Sequence, residues 1–516
     1  MRLPRFLLVV VSAAAAANLA FAFARRVAYP YDLEWMEGGM LCHALRLVQG
    51  LPIYAEPSGR FVPFAYTPLY PTTLWLLAPL FGLGYLPARA VSVAAFLWAL
   101  FAVHRFVRRE GASHPVAFGA AALPAAAFGP TGAWYDLARV DSLFLGLVAA
   151  AVTVGGGKGK GTARAVASAV LMTMAFFAKQ TALPFAAALV LALALARRRA
   201  VLHAAILAVL GGALLAWAHV ASGGWFWTYV FGLHRRHAFH LLDAAIVTPA
   251  RLLLLLGPGL FLVGWALLRA RTPGVLFTAG MAATGVLASA LGAGTEWSYH
   301  NALIPGVYFI ALAAGVAAAA LESRHASAAA LLLAAAVAAA PGGLAALAAQ
   351  ALPGAWRVRL ALPLGYDLRS VLPASSDRVR GDALIARLAA ARGDVFVPAH
   401  SFYPHLAGKT TRLHAMNLAD LEAAGMKVPW DLVDEIRQGR FSLVVVDREA
   451  AAATADPAAR LRQEEQAIGL VPALSKHYRV AERISGPRVF SGGAFEPCCV
   501  LEPREEPSDA VRQPAR

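Results

Sequence analysis

Asp32, Glu34 and Glu37 stand within a span of six residues in a chain that elsewhere avoids acid. They belong to a stretch from Tyr29 to Tyr70 that also carries Trp35, Arg46, Arg60 and the aromatics Tyr54, Phe61, Phe64, Tyr66 and Tyr70. Such a stretch is too polar to sit in lipid and too aromatic for a solvated linker. It reads as the floor of an active site. A turn to helix after Pro30 would put Glu34 and Glu37 on one face, with Asp32 near the helix start, where its carboxylate caps open N–H groups. One capping acid and two solvated ones is the plain alternative. Three acids beside Trp35 at a membrane surface favour a functional role for at least one, because ionisable groups at membrane sites are usually functional.

A second group is cationic: Arg60, Arg89, Arg139, Lys179, Arg235 and Arg236, with His234, His237 and His300 nearby. On the topology derived below these bases face outward, against the bias of positive charge towards inner loops. They therefore need anionic partners, which can be a loop carboxylate, a lipid headgroup or a substrate phosphate. Arg139 with Asp136 and Asp141 can form an internal salt-bridge cluster. Lys179 has no acid beside it in sequence and suits a phosphate, a snorkelling lysine being the plain alternative. The turn Glu296-Trp297-Ser298-Tyr299-His300-Asn301 is dense in polar and aromatic groups. An interfacial aromatic belt accounts for it. So does a divalent ion shared by Glu296 or His300 with Asp32 or Glu34, although no spacing demands a metal.

The elements that must position these groups follow from composition. The chain has 516 residues, 59% apolar and 15% charged, with a mean hydropathy of +0.59. Its apolar residues cluster in runs of about twenty, the length that crosses a bilayer, so the chain is expected to be an all-α polytopic membrane protein. The net charge of +16 lies mainly between apolar runs, as the positive-inside rule requires, and so excludes nucleic acid as a partner. Cys42, Cys498 and Cys499 form no disulfide framework.

Arg2 and Arg5 precede the first run, about 6–24, and place the N-terminus in the cytoplasm. The first outer loop, 29–84, ends in a short apolar run expected to lie in the interface. Further spans are expected near 85–107, 115–128, 140–154, 165–178, 182–196, 201–220, 252–268, 275–291 and 302–319, and one within 326–352. That makes about eleven, with the C-terminus outside. Acids before Pro353 are Asp32, Glu34, Glu37, Glu56, Glu110, Asp136, Asp141, Asp243, Glu296 and Glu322, and all but Glu110 and Glu322 fall on the outer face. One face therefore carries the chemistry.

Residues 1–353 are read as the membrane core. Residues 354–502 are mixed in charge, with strand patterns at 394–401, 441–447 and 477–484 between helical ones, and read as a small extracytoplasmic α/β domain. The last residues, 503–516, read as a disordered tail.

The order of these parts resembles the GT-C superfamily of membrane glycosyltransferases, in its bacterial branch with the lipid A aminoarabinose transferase and relatives of the protein O-mannosyltransferases. The resemblance is carried by the acidic first loop, the Pro68-Leu69-Tyr70 lead into an interfacial helix, LPARAVS opening the second span, YDLARVDSLFLGL, MTMAFFAKQTALPF, GWFWTYVFGLHRRHAF and EWSYHNALIPGVYF. Family proteins commonly show adjacent Asp and Glu in the first loop; here the acids are spaced Asp32-x-Glu34.

The resemblance implies transfer of a hexose or pentose from a polyprenyl phosphate carrier to an envelope acceptor: a glycolipid, polysaccharide or protein. Transfer would occur at the outer face of a bacterial inner membrane. An acceptor hydroxyl needs a base, for which Asp32 is the first choice and Glu34 the second, with Glu37 beside them. The lipid phosphate departs without a general acid but gains from cations, here Lys179, Arg89, Arg236, Arg60 and Arg139. Displacement in one step inverts the anomeric centre. Tyr66, Trp35 and Trp297 can stack on sugar faces, and Asp141, Glu296 and His300 join the substrate site. No cofactor is required, and a divalent metal is compatible. The rivals are a lipid or polysaccharide transporter and an inactive scaffold of the same fold. A transporter should show mid-membrane charges and internal repeats, and neither is seen in the sequence.

Overall fold

The structure, a computed structural model, describes residues 2–156, 161–196, 199–360, 366–426, 429–447, 474, 476–493 and 495–504. Residues 157–160 of the Gly/Lys loop, two of the three arginines at 197–199 and all but the first two residues of the expected tail lie outside the described residues. The chain divides into two compact units. The first joins Met1–Ala28, Tyr66–Gly224 and His237–Leu372; the second joins Tyr29–Ala65, Trp225–Arg236 and Pro373–Arg516. This grouping cuts the chain differently from the sequence boundary at 353, because residues 29–65 pack with those from 373 onward.

The first unit is helical, and the chain is a multi-pass membrane protein. Among the described residues six helices are long and apolar enough to cross a membrane: Leu3–Arg26, Tyr85–Arg109, Ala200–Ala221, Asp243–Arg269, Pro273–Gly294 and His300–Ala339. At about 1.5 Å per residue, the 25 residues of Arg2–Arg26 exceed the roughly 30 Å of a hydrocarbon core. The helices His114–Ala126, Val140–Gly156, Thr162–Ala178 and Leu183–Leu195 stand where the third to sixth spans were expected, and they are shorter than a full crossing. The helix Leu69–Phe81 takes the place of the expected interfacial one.

The tenth and eleventh spans differ from expectation. They form one 36-residue helix, Ile304–Ala339, broken at His325 (φ −134°, ψ 33°). The break falls in Glu322-Ser323-Arg324-His325, the polar step between two alanine-rich runs. This helix is the core of the unit: it packs against Arg2–Arg26, His114–Ala126, Thr248–Arg269 and Pro273–Gly294. Small residues permit such packing where lipid supplies no hydrophobic drive. A Cβ on Gly285 would come within 2.7 Å of the Pro305 carbonyl oxygen, so that crossing requires glycine.

The second unit carries a four-stranded sheet. Its strands are β1 (Asp394–Phe396), β2 (Phe441–Asp447), β3 (Tyr478–Arg483) and β4 (Pro497–Pro503), in the order β1-β2-β4-β3. β1 runs parallel to β2, and β4 antiparallel to both its neighbours. β2 is nearly all apolar because it is central and buried. β3 is an exposed edge carrying Arg479, Glu482 and Arg483, charges that discourage pairing with another chain. β1 stops before Pro398, which has no N–H to give the ladder, so the run expected over 394–401 is short. β4 was not expected, since Pro497 and Pro503 bracket it.

Candidate functional site

In the second unit the three loop acids are buried and each is engaged. Asp32 precedes the helix Glu37–Val48, and its Oδ1 accepts the Gly38 N–H at 2.9 Å. This is the expected cap. Oδ2 lies 2.7 Å from Nδ1 of His400, whose Nε2 lies 2.9 Å from Oδ2 of Asp447. Asp32 and His400 are fully buried, and Asp447 nearly so. Glu37 opens the helix, and its Oε2 accepts the N–H of Leu33 at 2.6 Å and of Glu34 at 3.4 Å. Glu34 lies before the helix, bridged to Ser491, so Glu34 and Glu37 do not share a helical face; the turn to helix comes two residues after Trp35. Trp35 stacks on Phe495 at 3.9 Å and leans on His414 at 4.9 Å.

His43 locks this loop further on. Its Nδ1–H faces the Gly39 carbonyl at 2.7 Å, and Nε2 accepts the Phe64 N–H at 2.8 Å. Burial lowers its pKa to about 4, so the ring is neutral and each nitrogen has one fixed role. Arg60 is exposed. Arg236 is also exposed and donates to the Ala424 carbonyl at 2.7 Å.

The first unit holds a second polar cluster. Asp141, at the start of Val140–Gly156, accepts from Lys179 Nζ at 2.6 Å and Asn301 Nδ2 at 3.1 Å on Oδ1, and from Trp134 Nε1 at 2.9 Å on Oδ2. Lys179, isolated in sequence, thus meets an acid that folding brings to it. Arg139 donates to the Tyr66 hydroxyl at 2.8 Å and lies over the rings of Tyr66 and Trp134. Asp136 is held by Arg26, at 2.7 Å and 3.2 Å, with both side chains fully buried. Arg26 also donates to the carbonyls of Val371 and Ala133. Arg89 is buried over the ring of Tyr85 and donates to the Arg26 carbonyl.

The turn at 296–301 divides. Glu296 accepts the Ala238 N–H at 2.9 Å. Trp297 is exposed and sits at φ +63°, a strained conformation for a bulky residue. His300 stacks on Tyr299 at 4.5 Å. It is Asn301, not chosen from sequence, that reaches Asp141. Arg26, Trp134, His400 and Asp447 were likewise missed: Arg26 follows the first apolar run, Trp134 directly precedes YDLARVDSLFLGL, and His400 and Asp447 lie in runs legible only as strands. Among the described residues no group of three or more His, Cys, Asp or Glu side chains is placed to hold a metal ion.

No family model matches the chain, and no curated protein matches it. Two crystal structures of ArnT from Cupriavidus metallidurans are similar over nearly its whole length. The one bound to undecaprenyl phosphate has a TM-score of 0.60 at 14% identity, and the apo one 0.59 at 15%. Each match covers 95% of this chain and 97% of the ArnT chain. At such identity the likeness is one of fold alone: this chain has the GT-C fold seen in ArnT.

Proposed function

We propose that this chain is a membrane glycosyltransferase that moves a sugar from a polyprenyl phosphate carrier to an envelope acceptor, with inversion. The observation that carries the reading is the fold shared with ArnT across 95% of the chain, including a structure of ArnT with undecaprenyl phosphate bound. The buried charges among the first unit's helices support it, since ionisable groups within membrane spans are usually functional.

In this reading Asp32 is the base, taking the acceptor hydroxyl's proton as oxygen bonds to the anomeric carbon and the carrier phosphate leaves with the bonding pair. Glu34 is the second choice, and Glu37 serves to hold the loop. The departing phosphate needs no general acid, and cations lower the barrier by stabilising its charge. Lys179, Arg89 and Arg139 are the first unit's candidates for that role, Arg60 and Arg236 the second's. Asp141 keeps Lys179 oriented until a phosphate competes for it. Tyr66, Trp35 and Trp297 offer faces to a sugar, with Glu296 and His300 as polar neighbours. No cofactor enters, and a divalent ion is compatible. The protein would lie in the inner membrane, N-terminus in the cytoplasm, with the chemistry and the C-terminal residues outside.

The test is sugar transfer in nanodiscs from a panel of polyprenyl phosphate sugars into a membrane extract, with Asp32→Asn and Glu34→Gln alongside. Loss of about 10²-fold or more in Asp32→Asn, with carrier binding kept and an inverted product, supports the assignment. Equal activity of both variants with wild type refutes a first-loop base.

A further inference from the structure

His400 has no part in the reading above, yet it grips Asp32 from far along the chain. Each ring nitrogen faces a carboxylate, Asp32 at 2.7 Å and Asp447 at 2.9 Å. A neutral imidazole has one N–H and would set a lone pair against one of those oxygens, whereas the charged ring satisfies both. Burial alone pulls its pKa down, but the charge of Asp447 and the hydrogen bonds to Asp32 and Asp447 outweigh it and hold His400 at about 10. The ring is fixed twice over. Tyr403 stacks on its face, with centroids 4.7 Å apart and planes within 12°. Asp447 ends β2, where the pairing with β4 shifts register between Val446 and Asp447, an irregularity of the kind that re-aims a side chain.

We propose that His400 is a positioning residue for Asp32: clamped by Asp447 and Tyr403, it fixes the direction of the Asp32 carboxylate and supplies the positive charge that favours its base form. This rests on the assignment of Asp32 as base. The titratable groups packed around the pair are Asp447, Tyr403, Tyr29 and Cys42. Burial raises the Tyr403 hydroxyl and pushes the Cys42 thiol up to about 12, so neither is charged at neutral pH.

Two isosteres separate the contacts. The amide of His400→Asn falls near the place of Nδ1 and keeps a donor on Asp32; that of His400→Gln falls near Nε2 and keeps only Asp447. Transfer is measured in nanodiscs, per folded protein, with Asp32→Asn and Asp447→Asn in the same series. Expected is a fall in kcat of roughly 100-fold in His400→Gln and under about 10-fold in His400→Asn, with KM for the carrier little changed. In both, the acid limb of the kcat/KM profile should rise by about one pH unit, because a carboxylate that loses a positive neighbour protonates more readily. Asp447→Asn should move the limb the same way by less. Unchanged kcat and limb in both His400 variants, or losses that vanish when scaled to folded protein, overturn the role of His400 alone if Asp32→Asn is inactive. An active Asp32→Asn, or a wild type that transfers nothing, brings down the base assignment and this inference together.

Discussion

Lys179 Nζ lies 2.6 Å from Asp141 Oδ1, across 38 positions of sequence, with the carboxylate 4% exposed. A charge so enclosed depends on its partner: removing one member of a buried pair costs about 3–5 kcal/mol, whereas replacing both with apolar residues is often neutral. Lys179→Met and Asp141→Leu should each destabilise the protein, and the double variant should lose much less than the sum. A coupling of at least about 1 kcal/mol from chemical unfolding in detergent is expected. Additive losses would show that the two charges do not depend on each other.

Arg26 and Asp136 form a second pair, with both side chains at 0% exposure. Arg26 also binds the carbonyls of Val371 and Ala133, so its fork fills several acceptors that a lysine ammonium cannot match in geometry. Arg26→Lys should lower the melting temperature by several degrees, and Arg26→Met by more, about 3 kcal/mol or above. Activity per folded molecule should stay near wild type in Arg26→Lys. A melting temperature unchanged in Arg26→Met would show that the pair adds nothing.

Stability should depend on pH through two histidines of opposite sign. His43 has a folded pKa lowered to about 4 by burial, against roughly 6.5 when unfolded. Its contribution is therefore complete above about 6.5 and is lost as pH falls towards 4, on the order of 3 kcal/mol in all. His400 is raised to about 10, so its contribution is complete below about 6.5 and is lost as pH rises through 10. Melting temperature from pH 4 to 10 should fall at both ends. His43→Phe should flatten the acid side and His400→Gln the alkaline side. Slopes unaltered by those changes would contradict the assignments.

What the sequence disclosed was what hydropathy and local spacing encode. The apolar runs placed the helices, and the short, β-branched apolar run at 441–447 placed the central strand. Asp32 as a cap was legible because its partner, Gly38, stands six residues away. The contacts that set each acid's environment were not legible. His400 lies 368 positions from Asp32, and Lys179 looked isolated because Asp141 arrives only when two helices pack. Glu34 and Glu37 were expected on one helical face, but the helix begins at Glu37, whose carboxylate turns back to hold Leu33 and Glu34. The interruption near His325 was legible as the gap between two apolar runs, but the continuation of one helix through it was not, although neither proline nor glycine stands at 322–325 to end it.

A glycosyltransferase frees its carrier when the sugar reaches an acceptor, whereas a lipid transporter leaves the sugar in place. The most direct measurement is release of polyprenyl phosphate by the purified wild-type protein in nanodiscs, given a polyprenyl phosphate sugar with and without acceptor extract. Acceptor-dependent release is expected, matched one for one by sugar appearing on the acceptor. Binding of the carrier with its sugar left intact, whatever acceptor is supplied, would contradict it.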